Sequence, residues 1–250
     1  MTDEVSNCTA TDEQKFRSAQ RGRTVDQLKR LYGVLMAFAT TACVNNAFNC
    51  AKLTGYEWRI FVPLGCQALT FVLMIAPTYF IAEYYLDYKY LLKPDDTKKL
   101  RVVLFDLGAT IPLAILFLIL SQGFPLDQLK SVSALAGSGY KASLVDRIIG
   151  EGQITFFWAL LVLNVWDLLV MLGGIAGGAH KGIGGGEISP AGIDVRTLCV
   201  CSLLSIPIPV FFLIATYGGQ PAPLPVFIVL LGWHILRFFL EMLAVQRAIV

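Results

Sequence analysis

Three polar side chains in the last apolar stretch of the chain are candidates for ion or proton chemistry. His234, Arg237 and Glu241 lie three and four residues apart within residues 224–250, most of which are apolar. On a helix these spacings place the three groups on one face, one above another. An ionised residue near the centre of a membrane helix costs about 2.5–3.5 kcal/mol to insert. Arg237 and Glu241 are therefore expected to have partners inside the membrane.

Candidate partners lie in the preceding apolar stretches. Asp167 and Arg237 each follow the start of their stretch by about twelve residues, which places both near 18 Å from the same surface at about 1.5 Å per residue. Opposite charges at one depth predict an ion pair. Asn164 shares a helix face with Asp167, and Asp106 is expected near the depth of Glu241.

His234 and Asn46 complete the predicted polar set. His234 is expected near the middle of the membrane, and Asn46 lies with two further asparagines toward the outer end of the first stretch. One interpretation is an ion or proton pathway through the membrane, the usual role of ionisable residues at such positions. The excess of acidic over basic members would favour cations or protons. The other interpretation is a satisfied ion pair that fixes helix packing.

The composition excludes an ordinary soluble domain. Of the 250 residues, 56% are hydrophobic and 15% charged, with a mean hydropathy of +0.64. The apolar residues form blocks of about twenty, the length that crosses a bilayer as a helix. The net charge of +2 comes with basic residues at helix ends rather than in a patch, which argues against nucleic-acid binding. The first thirty residues lack an apolar core, so the first membrane helix is expected to act as an uncleaved anchor.

These blocks predict an all-α, polytopic integral membrane bundle of six transmembrane helices. Residues 1–30 are expected to form a polar, flexible cytosolic segment ahead of a transmembrane domain at 31–250. The six spans are predicted near 31–53, 58–80 with a cytosolic helical extension to 92, 99–120, 154–175, 195–217 and 224–247.

Local patterns predict how several of these spans pack. Gly33, Ala37 and Thr41 form a stripe of small residues at a spacing of four, which favours close packing of span one in the bundle interior. Residues 156–158 read as an aromatic cluster at the membrane interface. The prolines at 207 and 209 are expected to break span five and to leave backbone carbonyls near Leu203 and Ser205 without helical partners.

The connections between spans predict two surface helices and the orientation. Residues 124–136 and 141–149 are amphipathic and are expected to lie on the membrane surface as short helices. Fourteen Lys and Arg residues fall in the segments on the N-terminal side of the membrane and five in the opposite loops. The excess of basic residues marks the cytosolic side, so both termini are expected there.

No set of residues suggests catalysis or cofactor binding. The two histidines do not suffice for a histidine-rich metal site, and no nucleophile–base pair is evident. The six cysteines lie mostly in or beside apolar stretches, where a thiol packs as a small apolar group. We therefore expect no enzyme activity, cofactor or metal. The expected function is a small channel or transporter for a cation, a proton or a proton-coupled solute. The alternative is a non-catalytic scaffold or accessory subunit in the lipid bilayer, as a homo-oligomer or with partner membrane subunits.

Overall fold

The computed structural model describes residues 2–87, 100–135, 142–176, 195–216 and 221–246. Within these ranges the chain forms helices joined by short turns, and no strand. The helices are α1 (Thr2–Leu53), α2 (Trp58–Asp87), α3 (Leu100–Ser121), α4 (Leu126–Leu135), α5 (Ala142–Ala176), α6 (Val195–Ser205), α7 (Pro207–Ala215) and α8 (Leu224–Gln246).

Six segments of the described chain are long and apolar enough to cross a bilayer, which confirms the prediction of a six-span membrane bundle. They fall on α1, α2, α3 with the turn after it and the start of α4, α5, α6 with α7, and α8. Large apolar side chains such as Phe38, Ile214 and Val229 are 65–70% exposed on the outside of the bundle. Such an apolar surface is stable in contact with lipid, so the chain is a multi-pass membrane protein.

The six spans close into a ring. In the described residues α1 packs against α2 and α3, α3 against α5, α5 against α6 and α7, α6 against α8, and α8 against α2. The predicted external end is where α1 ends and α2 begins, and the predicted cytosolic end is where α8 ends. At the external end, Asn46 donates to the Ser121 carbonyl at 3.2 Å and Gln153 accepts from the Ala222 amide at 2.9 Å.

Phenylalanines fill the interior of the ring toward the predicted external end. Phe157 stacks on Phe212 with ring centroids 4.1 Å apart, and Phe227 lies 5.5 Å from Phe212. We call this cluster the phenylalanine block; its members are at most 2% exposed and comprise Phe71, Phe117, Phe124, Phe156, Phe157, Phe212 and Phe227. Phe156 and Phe157 are thus core residues, and their predicted place at the interface was wrong. Only Trp158 of that run is exposed.

Helix α1 buries a different face from the predicted one. Tyr32, Met36 and Cys43 are buried, whereas Ala37 and Thr41 are exposed. The α1 span is also the least buried of the six, at 22%. Lipid tails are as apolar as a large side chain, so Phe38 stays exposed and size does not decide which face of α1 packs inward. The prediction of an interior span one packed through its small-residue stripe was therefore wrong.

Helix α1 also extends through the segment that the sequence suggested to be flexible. Its 52 residues form one helix of about 78 Å. The first thirty residues contain no proline and only one glycine, Gly22. Once a membrane helix is formed, each added residue gains a hydrogen bond without a new nucleation cost, so the helix propagates outward from the span.

Helix α5 starts three turns earlier than the predicted span four. Residues 142–153 continue directly into the span, and Val145, Ile148 and Ile149 are buried. The segment predicted as a separate surface helix at 141–149 is therefore the start of α5, at least from Ala142 onward. The other predicted surface helix is present as α4, where Leu129 is buried.

Gly152 is required for α5 to pass close to the turn between α3 and α4. A Cβ atom at this position would lie 2.6 Å from Pro125 Cδ and 2.7 Å from the Gly123 carbonyl. Gly152→Ala is expected to lower the free energy of unfolding by about 1–3 kcal/mol, because the crowded backbone cannot give way cheaply. Thermal unfolding in detergent would measure this. Gly65→Ala is the matched control, since no atom lies within 4 Å of the new methyl group. Equal stability of Gly152→Ala and wild type would contradict the close approach.

Span five is broken where the sequence predicts it. Helix α6 ends at Ser205, and α7 begins at Pro207. The Ile206 amide donates to the Leu203 carbonyl at 3.3 Å, a three-residue turn that supplies the partner lost to proline. The Leu203 carbonyl is therefore bonded, contrary to the sequence-based expectation. The break places the hydroxyl of Ser205 at the end of α6, facing α8.

Candidate functional site

Arg237 is the centre of a buried polar network that joins three helices. Its Nε donates to Glu241 Oε1 at 2.6 Å, one turn along α8. One terminal nitrogen donates to Asn164 Oδ1 on α5, and the other to Asp167 Oδ2 at 3.5 Å. The side chains of Arg237, Glu241 and Asp167 are only 4%, 5% and 11% exposed. A guanidinium with five donors in a fixed plane can serve all these acceptors at once.

The spacing of these residues explains why they meet. Arg237 and Glu241 are four residues apart on α8, and Asn164 and Asp167 are three apart on α5, so each pair lies on one helix face. Helices α5 and α8 run in the same direction, and the contact of Phe157 with Phe227 sets their register. Ten residues further along each helix, Asp167 and Arg237 reach the same depth.

Ser205 extends the network to the broken span. Its Oγ donates to the Cys201 carbonyl at 2.7 Å and accepts from Arg237 at 3.1 Å and from Trp233 Nε1 at 2.9 Å. The roles of the Ser205 hydroxyl and the Trp233 side chain were not identified from the sequence. A serine directly before a proline break is a detectable signal, but its neighbour on α8 depends on how the helices are arranged around the ring.

His234 is buried beside the network but is not hydrogen-bonded to it. Its Nδ1 lies 2.9 Å from the Leu230 carbonyl, which can only accept, so Nδ1 carries the proton. In the neutral ring Nε2 is then an acceptor, and in the described chain no donor reaches it. His234 is therefore oriented by its own helix, with one nitrogen left to bind a water or a ligand.

Other buried polar groups were missed by the sequence analysis. Gln67 and Thr70 lie one turn apart on α2, and both are fully buried. Neither side chain has a hydrogen-bond partner among the described residues, and the same holds for Ser202 Oγ and the Tyr32 hydroxyl. Burying an amide such as that of Gln67 inside an apolar span costs free energy. Gln67 could therefore have been identified as a candidate site residue from its residue type alone. Ordered water usually satisfies such groups in protein interiors.

One predicted site residue, Asn46, is not brought to this network. Asn46 bonds Ser121 at the predicted external end, and it lines an open depression of about 360 Å³ together with Asp127 and Glu151. On α1, Asn46 lies fourteen residues beyond Tyr32, which is about 21 Å closer to the predicted external end. Asp106 belongs to α3, but its side chain lies outside the described part of the structure. Among the described side chains, Asn164, Asp167, Arg237 and Glu241 meet in the network, with His234 beside them.

The network can hold and exchange positive charge. One guanidinium faces two carboxylates, so the group carries an excess of one negative charge when all three are ionised. In a poorly solvated interior a proton or a cation is the natural complement. No three His, Cys, Asp or Glu side chains are grouped to hold a metal ion in the ranges that the structure describes.

Comparisons of the chain with protein-family models, with curated proteins and with solved structures gave no match.

Proposed function

We propose that the protein is a small membrane channel or transporter for a cation, a proton or a proton-coupled solute. The observation that carries this proposal is the sharing of Arg237 by Asp167 and Glu241 inside the bundle. A purely structural ion pair needs one carboxylate for one guanidinium. Burying a second carboxylate has a desolvation cost that packing alone does not offset. The presence of this carboxylate is explained if it binds and releases a proton or a cation.

The geometry of the bundle adds two kinds of support. The break between α6 and α7 lies beside Arg237, and discontinuous helices near the middle of the membrane are a common feature of transporter sites. The phenylalanine block fills the interior on one side of the network, and the charged network begins where the block ends. Such an arrangement suits a site that opens to one side of the membrane at a time.

The direct test is transport by the purified full-length protein in liposomes. Under a pH gradient or an imposed voltage, these liposomes should move protons or a monovalent cation faster than protein-free liposomes. Protein-containing liposomes that stay tight to protons, sodium and potassium under both conditions would overturn the proposal.

The proposed orientation has both termini in the cytosol, as the distribution of basic residues favours. A single cysteine introduced by Gly184→Cys in a cysteine-free background should then react with an impermeant thiol reagent from the cytosolic side only. The same reagent should not reach it in sealed cells. Labelling from outside would contradict this orientation.

An accessory or scaffold role is the second candidate, and the exposed face of α1 favours it. Thr41 and Asn45 are exposed on a membrane-spanning helix, where polar side chains usually find a helix partner. A second copy of the chain or another membrane subunit could cover this face. Recovery of a stoichiometric partner in mild detergent, with no ion flux by the isolated chain, would favour this role.

A further inference from the structure

The Tyr32 hydroxyl is a buried polar group whose position suggests a use within the proposed function. Tyr32 on α1 is 2% exposed, and in the described chain its hydroxyl has no hydrogen-bond partner. A buried hydroxyl without a partner lowers the stability of the folded protein, because its lost bonds to water are not replaced. Phenylalanine would fill the same space without this cost, so packing alone does not account for the hydroxyl.

Two successive contacts between α1 and α2 connect Tyr32 to the predicted cytosolic end. Tyr32 stacks on Tyr79 with ring centroids 5.9 Å apart and planes 3° from parallel. One turn further toward that end, Lys29 pairs with Glu83 at 3.6 Å. The exposed fraction falls from 39% at Glu83 to 19% at Lys29 and 2% at Tyr32. Tyr32 is therefore the first fully buried polar residue along this contact.

The charged network is close enough to act on Tyr32. The Asp167 carboxylate on α5 interacts electrostatically with the Tyr32 hydroxyl. Behind Asp167 lies Arg237, which links it to Glu241 on α8. Tyr32 thus contacts the side of α2 that carries Glu83, the partly exposed partner of Lys29, and it interacts electrostatically with the buried network.

We propose that Tyr32 relays protons between the predicted cytosolic end of the bundle and Asp167. A hydroxyl can accept a proton and donate its own, and a bridging water can complete a gap too long for a direct hydrogen bond. A hydronium ion on the cytosolic side gives a proton to the Tyr32 oxygen while the tyrosine's own proton passes to the Asp167 carboxylate. One O–H bond forms and one breaks at Tyr32, so the hydronium becomes water, Asp167 becomes a neutral acid and Tyr32 is unchanged.

The test follows the protonation of Asp167 after a rapid acidification of the full-length protein in nanodiscs. Time-resolved infrared spectroscopy detects the carbonyl stretch of the protonated acid, and its loss in Asp167→Asn assigns the band. Tyr32→Phe removes only the hydroxyl and should slow protonation about tenfold or more. Its melting temperature should stay the same or rise, because the removed hydroxyl has no partner. Tyr79→Phe keeps the stack and the Tyr32 hydroxyl, so it should protonate at the wild-type rate.

Unchanged kinetics in Tyr32→Phe, equal slowing in Tyr79→Phe, or an Asp167 that takes up no proton would each overturn the relay. The relay rests on the proposed transport function, but its test needs no net flux. If liposomes with the wild-type protein show no ion flux but Tyr32→Phe slows the protonation of Asp167, the transport proposal is overturned and the relay is retained. Flux through the wild type combined with unchanged protonation in Tyr32→Phe would overturn the relay alone.

Discussion

Arg237→Leu is expected to lower the free energy of unfolding by about 3–5 kcal/mol, the largest effect of any single substitution considered. The change strands two carboxylates, Asp167 and Glu241, in a site where both are at most 11% exposed. It also leaves the Asn164 carbonyl and Ser205 without the guanidinium as a donor. Thermal or chemical unfolding in detergent measures the loss. Arg147→Leu is the matched control, because Arg147 pairs with Glu151 at 3.1 Å on an exposed surface and should cost less than about 1 kcal/mol.

The double substitution Arg237→Leu with Asp167→Leu tests whether the two residues are partners. It should be more stable than Arg237→Leu alone, because one of the stranded carboxylates is gone. Asp167→Leu alone should cost less than Arg237→Leu, since Arg237 keeps its 2.6 Å bond to Glu241. Strictly additive losses would show that Asp167 and Arg237 are not coupled.

Glu241→Gln is expected to reduce proton or cation flux in liposomes by about tenfold or more while the protein stays folded. Glutamine has nearly the same shape as glutamate and can still accept a hydrogen bond from Arg237. Arg237 also keeps its hydrogen bond to Asp167. It cannot ionise, so the network loses the excess negative charge on which loading depends. Flux measured under a pH gradient, together with the melting temperature, separates lost transport from lost folding.

The control for this substitution is Glu151→Gln at the predicted external end. Glu151 is also a glutamate four residues from an arginine on one helix, but its side chain is 47% exposed. It should transport at the wild-type rate. Wild-type flux in a folded Glu241→Gln protein would remove Glu241 from the pathway, and an equal loss in Glu151→Gln would point to a general surface-charge effect.

The meeting of Asp167 and Arg237 could be predicted because helix rise is fixed. Counting residues from two helix ends on one side of the membrane gives relative depth without knowing the fold. Lateral arrangement has no such rule. The contacts of Ser205 and Tyr32 depend on which spans are neighbours in the ring, and a single sequence does not specify this order.

Two of the wrong predictions came from rules that compete with burial. The small-residue stripe on α1 matched a known packing pattern, but α1 buries another face, which contains Tyr32, Met36 and Cys43. The aromatic run at 156–158 matched an interfacial pattern, but the early start of α5 moved Phe156 and Phe157 into the core. In both cases the type of side chain was identified correctly, but its predicted location in the bundle was wrong.

The phenylalanine block has an electrical consequence. On α5 Phe157 lies seven residues, or about 10 Å, from Asn164, the first residue of the network, which is roughly a third of the hydrocarbon thickness. An apolar layer of this kind is an insulator, whereas a hydrated route to the network would conduct. Most of the membrane voltage would then fall across the block. A charge moving between the network and the cytosol would feel little of that voltage, while one crossing the block would gain or lose close to the full 2.3 kcal/mol or so per 100 mV.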